Sequence, residues 1–390
     1  MIRNNIYAQA PFGTIPDTNA VPSAPPETEL TAETAVRLKD PFDNPTEYHN
    51  FRDDYSKILP WIKMPDYKIP LTPARAEKNM LKRQYSIAGV CMLLHFLSSQ
   101  IGITVVMFII EKLIALISGN DNSAVINDYM TQSSIISALN MITFVLANCI
   151  FAMIGLRWSK TRAPSLFITR NFNIQYAVEY CVIGLGLWTI STYASTGIEN
   201  IINQFGYSSI PAGMDESTVT GLGMAIDAVY SCIMAPVTEE IFFRGMMLRV
   251  ISKANQRFAV VATAVFFGLT HGNIPQFVLA FLLGLFLAHI TLKHDSIVPS
   301  IIVHMFLNTF VTVTSYLPES TIIEGILNMI LVASLLVGAV LLVIYRRTDR
   351  IPSTTPAQAR RGIAVAKTSP AFVAPAVLMA FFMVIMILLN

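Results

Sequence analysis

The chain has 390 residues, a net charge of +2, and 53% hydrophobic against 13% charged residues; soluble domains carry roughly 25% charge. That balance excludes an ordinary soluble domain, and no basic cluster is suited to nucleic acid. Several apolar windows reach the ~18 residues of a spanning helix. The expected fold is therefore all-α, a polytopic membrane helical bundle of eight to nine apolar helices with the lipid bilayer as its first partner.

Residues 1–83 read as a Pro-rich cytoplasmic tail. It holds eleven of the 21 prolines, and its acidic and basic residues balance at eleven each. Residues 22–34 have a disordered composition. The aromatics Tyr48, Phe51, Tyr55 and Trp61 belong to a partly ordered linker, with a short helix or a membrane-surface segment as the other readings. The tail lacks an apolar h-region, so no cleavable signal peptide is expected.

Nine apolar segments follow, at about 86–117, 133–156, 176–198, 222–244, 258–271, 274–292, 297–316, 322–345 and 371–389. They divide into N-terminal transmembrane helices (84–220), a core carrying the unusual polar residues (221–316), and C-terminal helices with a basic linker (317–390). Lys and Arg alternate from loop to loop: present before the first segment, absent from 119–132, present at Arg157, Lys160, Arg162 and Arg170, absent from 199–220, and dense again after the eighth. The positive-inside rule then puts the N-terminus in the cytoplasm and the C-terminus outside. Cys91, Cys149, Cys181 and Cys232 lie in apolar segments without metal or redox spacing and read as small buried hydrophobes.

The polar residues inside apolar segments are costly and mark function by default. At the end of the fourth segment stands Glu239-Glu240-x-x-x-Arg244. Glu240 and Arg244 are i and i+4, one face of a helix, and read as a structural ion pair. Glu239 points about 100° away and is left for chemistry. Phe267-x-x-x-His271 and His304-x-x-x-Asn308 repeat the one-turn spacing on the fifth and seventh segments. At 1.5 Å per residue the fifth segment is ~21 Å long, short of a ~30 Å hydrocarbon core. His271 therefore stops inside the membrane, where Gly272-Asn273-Ile274-Pro275 reverses the chain. His304 lies ~12 Å along its helix from the same face, so these groups can meet in a cytoplasm-facing cavity. Asp227 either pairs with a neighbour or lines that cavity. His95 has no partner at i+4, His49 is in the tail, His289 reads as a helix-end residue and His294 as a surface residue.

A carboxylate, two imidazoles and an amide in a partly dry pocket suit hydrolysis. Glu239 would act as general base on a water, His271 would share that water or shuttle its proton, and His304 and Asn308 would donate to the oxyanion. No Gly-x-Ser-x-Gly motif is present and no cysteine adjoins the group, which argues against a covalent nucleophile. Two His plus Glu is also a zinc set, so Zn or another divalent metal at Glu239, His271 and His304 is the alternative. The favoured reading has no metal and no cofactor. A different class stays open: a non-catalytic membrane carrier or resistance scaffold using the buried charges for ion or partner binding.

These three motifs, in this order, resemble those of the CAAX protease and bacteriocin-processing (CPBP) family. That family includes the type II CAAX prenyl endopeptidases and bacterial Abi-type proteins. The likeness covers about residues 222–310. It implies an α-helical intramembrane protease, often designated a metalloendopeptidase, with its site open to the cytoplasm; eukaryotic members remove three residues from a prenylated C-terminal tetrapeptide. By resemblance, Glu239 is the catalytic glutamate, Glu240 and Arg244 its companions, His271 the second motif's histidine, and His304 with Asn308 the third motif. The Pro-rich tail and the ninth segment depart from the shared pattern, and nothing marks a prenyl-binding groove. The short loops look bacterial. The expected setting is a bacterial plasma membrane, and the expected substrate a membrane-associated peptide or protein, in bacteriocin maturation, immunity or surface-protein processing.

Overall fold

The computed structural model describes residues 73–118, 133–169, 172–208, 221–348 and 356–389. The readings made for residues 1–72 lie outside them. The regular structure of the described residues is helical, without strands: α1 Pro73–Ser118, α2 Ser133–Trp158, α3 Ile174–Gln204, α4 Gly221–Ser252, α5 Gln256–Leu269, α6 Ile274–His294, α7 Val298–Ser315, α8 Thr321–Thr348, α9 Pro356–Lys367 and α10 Pro370–Leu389. Eight of these are long and apolar enough to cross a membrane, and α5 is the short one. All nine expected segments are present.

Two boundaries differ from expectation. Helix α1 begins at Pro73, not in the eighties. Proline's fixed φ suits a first helical turn, and Ala, Lys, Arg and Glu are good helix formers that need no apolar face. The stretch read as a basic linker contains α9. Its Arg361 pairs with Glu77 of α1 at 3.2 Å, as an amphipathic helix at a membrane surface would allow.

Helices α4 to α7 occupy the middle. On one side stand α2, α1 and α10, with α1 touching both; on the other α6 and α7 meet α3, which carries α8. The α1–α10 contact depends on Gly89, where a Cβ would overlap the backbone of Ala371 and Phe372. Between helices in lipid, such close approach replaces the hydrophobic drive that lipid does not supply.

The joints that aim the core helices are local and specific. Asn255 caps α5 by accepting from Phe258 N at 3.0 Å. Gly272 takes φ +70°, which a side chain would strain, and so lets the chain turn back after α5. Asn273 then caps α6 through Gln276 N at 3.0 Å. At the α6–α7 turn, Arg249 donates to Asp295 O at 2.8 Å and pairs with its carboxylate at 3.3 Å. Ile297 N donates to Leu166 O at 2.9 Å, tying the same turn to the segment after α2. Lys253 closes the end of α4 onto Ser159 O at 2.7 Å. Its burial, and then the charge of Arg83, hold its ammonium below the ordinary lysine value. His294 corrects the sequence reading. It is buried, not a surface residue, with Nε2 2.9 Å from Tyr180 Oη, because the end of α6 packs against the aromatic face of α3.

Candidate active site

The centre of the site is a helix that does not keep a regular pitch. In α4, residues Tyr230–Met234 and Ile241–Leu248 are π-helical and Ala235–Glu240 between them is α-helical. Proline lacks the N–H that would continue the ladder, and Pro236 stands two residues past the end of the first wide turn. There Ala235 N–H bonds Tyr230 O, five residues back. Ser231 O, its ordinary α-helical acceptor, is thereby released. Asn308 Nδ2 takes it at 2.8 Å, so the wide turn of α4 and the third motif on α7 depend on each other. Such π-turns gather at functional sites; here they flank the two glutamates.

The two carboxylates have different surroundings. Glu240 is fully buried and accepts from Arg244 Nη1 at 2.7 Å. It also faces His304 Nδ1 at 3.0 Å. A carboxylate only accepts, so Nδ1 carries the proton in that bond. The Arg244 guanidinium lies over the Phe267 ring, 4.3 Å from its centroid, a cation–π contact in a dry setting. Glu239 keeps 21% of its side chain accessible, and its Oε2 lies 3.9 Å from His304 Nε2. That gap is too long for a direct hydrogen bond and has the width that one bridging water spans.

The structure thus joins Glu239, Glu240, Arg244 and His304 directly. His271 enters through Phe267, whose ring meets His271 edge-on at 5.2 Å and His304 at 5.8 Å. His271 Nδ1 lies 2.8 Å from Phe267 O, an acceptor, so Nδ1 donates and Nε2 presents its lone pair. Asp227 is taken up by Ser137 of α2 at 3.0 Å. A cavity of about 350 Å³ between α3 and the start of α6 is lined by Ser191, Ser195, Glu199 and Gln276 among others, and by none of these site residues.

Sequence reading missed a second polar group behind the first. His95 of α1, Asn148 of α2 and Thr238 of α4 are all buried and bonded in series, at 2.8 Å and 3.1 Å. The signal was present as three polar residues in apolar runs, but each had to be matched across helices and not along its own. As a metal site the alternative set of Glu239, His271 and His304 fits poorly. Among the described residues no three His, Cys, Asp or Glu converge on a position for an ion.

The fold and site define a polytopic helical membrane protein with a braced glutamate–histidine centre. Residues 221–310 match the family model "Type II CAAX prenyl endopeptidase Rce1-like", and the CPBP resemblance read from the three motifs is borne out on that stretch. The chain is 27% identical over 150 residues to the Bacillus subtilis (strain 168) protein named "Putative membrane peptidase YdiL". The alignment takes in 36% of this chain and 62% of the relative's length. No solved structure matches the chain significantly.

Proposed function

We propose that the chain is an intramembrane endopeptidase in which Glu239 activates a water for attack on a peptide carbonyl. The observation that carries this is the Glu239–His304 gap of 3.9 Å, set beside a second glutamate already neutralised by Arg244. A water there donates one hydrogen to Glu239 and the other to His304, which turns its oxygen outward. As that oxygen adds to the carbonyl carbon, Glu239 takes its proton and later returns it to the leaving nitrogen. In this reading His271 Nε2 relays that proton. Asn308 has a second amide hydrogen beyond the one given to Ser231 O, and it serves the oxyanion, while His304 Nε2 holds the water's other hydrogen.

The family match and the relative support a CAAX-type or bacteriocin-related processing activity. The substrate is then a membrane-associated peptide or protein, and the setting a bacterial plasma membrane with the N-terminus cytoplasmic and the C-terminus outside. The poor convergence of Glu239, His271 and His304 on an ion position favours water activated by glutamate alone. Metal-stripped protein should accordingly keep its activity. Comparative peptidomics of membranes from cells carrying wild type or Glu239→Gln tests the function. An uncleaved precursor should accumulate with the variant. Full cellular function of Glu239→Gln with no accumulating precursor would favour the carrier or scaffold reading.

A further inference from the structure

We propose that His95, Asn148 and Thr238 are positioning residues that fix the turn bearing Glu239 from the two N-terminal helices; this rests on Glu239 being the base. The three bonds run in one direction. His95 Nε2–H donates to Asn148 Oδ1 at 2.8 Å. Asn148 Nδ2–H donates to Thr238 Oγ1 at 3.1 Å. Thr238 Oγ1–H donates to Met234 O at 2.8 Å, inside the first wide turn of α4. The acceptor-only carbonyl at the end sets the polarity of the whole chain.

The same histidine holds the other side of Glu239. Its ring stacks on Phe242 at 4.4 Å with 21° between planes, and meets Phe243 edge-on at 6.3 Å. His95 therefore holds α4 one residue before Glu239, through Asn148, and three residues after it, through Phe242. The regular turn 235–240 lies between two π-turns, and a helix of variable pitch needs outside contacts to fix where a side chain points. The arrangement is not what packing alone would select. His95 Nδ1 is buried without a partner, a desolvation cost that a leucine in the same slot would avoid. Other groups facing Glu239 are His304 on α7, Arg244 one turn along α4, and Tyr230 in the first π-turn. None of these holds the backbone of the turn from α1 or α2.

The test uses the full chain in detergent with two readouts. One is cleavage of an internally quenched peptide ending in a farnesyl-cysteine tetrapeptide, run beside its unprenylated counterpart. The other is amide hydrogen exchange of the peptide containing Thr238–Phe242, which needs no activity. His95→Leu, and the gentler Thr238→Val, should lower kcat by about ten- to a hundredfold with KM little changed, as a misplaced catalytic group does. Exchange should rise in that segment while the melting temperature stays near wild type. His95→Gln, which can still donate to Asn148, should restore both. Unchanged exchange and kcat in Thr238→Val would overturn the proposal, as would a kcat loss in His95→Leu matched only by loss of folded protein. If Glu239→Gln cleaves normally, Glu239 is not the base, yet the exchange readout still reports whether His95 holds the turn.

Discussion

Helices α4 and α8 are both long and apolar enough to cross a membrane, but they are built in opposite senses. Helix α8 is the more hydrophobic, and it turns Met329, Leu336 and Val340 outward with 60–66% of each exposed. The second half of α4 is the reverse. It buries Glu240 and Arg244 completely with Phe242, Phe243 and Met246 around them. In lipid an apolar side chain gains little from being inside, while a charge must be enclosed and paired. Hydrophobicity therefore marks the outside of this molecule, and the polar residues mark its centre.

The largest expected loss of stability comes from opening that centre. Arg244→Ala leaves the fully buried Glu240 carboxylate without its cation and should cost about 3–5 kcal/mol, read as a lower melting temperature in detergent. Next comes Gly89→Val, whose new side chain meets the backbone of Ala371 and Phe372. It should cost about 1–3 kcal/mol, read in the same melt, because the clash lies at the α1–α10 contact and leaves the buried ion pair intact. Phe267→Leu removes the ring beneath Arg244, with a loss of about 1–2 kcal/mol. It should depress cleavage more than that loss suggests, since His271 and His304 both rest on the same ring. Smallest of all, Leu336→Ala on the exposed face of α8 should shift stability by no more than about 0.5 kcal/mol. If Leu336→Ala proved as damaging as Phe267→Leu, the contrast between the two helices would be wrong.

The all-helical architecture was legible because apolar runs of membrane length admit little else, and Gly272-Asn273-Ile274-Pro275 announced the turn after α5. The pairing of Glu240 with Arg244 followed from i,i+4 spacing, a relation that lies within one helix. The contact of His304 with Glu240 crosses from α7 to α4, and no spacing rule reports it. The same holds for His95. It has no partner one turn along its own helix, whereas its partner Asn148 is 53 residues away on α2. The wide turns of α4 were also hidden. Pro236 is visible in the sequence, but the release of Ser231 O and its capture by Asn308 depend on how α4 and α7 meet.

The division of labour between adjacent glutamates is tested most directly by purified Glu239→Gln in detergent, assayed on the farnesylated quenched peptide and its unprenylated form beside wild type. Wild type should cleave at least one of them, and Glu239→Gln should lose about 10²–10⁴-fold of that rate while melting at the wild-type temperature, since Glu239 is not part of the buried ion pair. Cleavage by Glu239→Gln at the wild-type rate would contradict the assignment of Glu239 as the base.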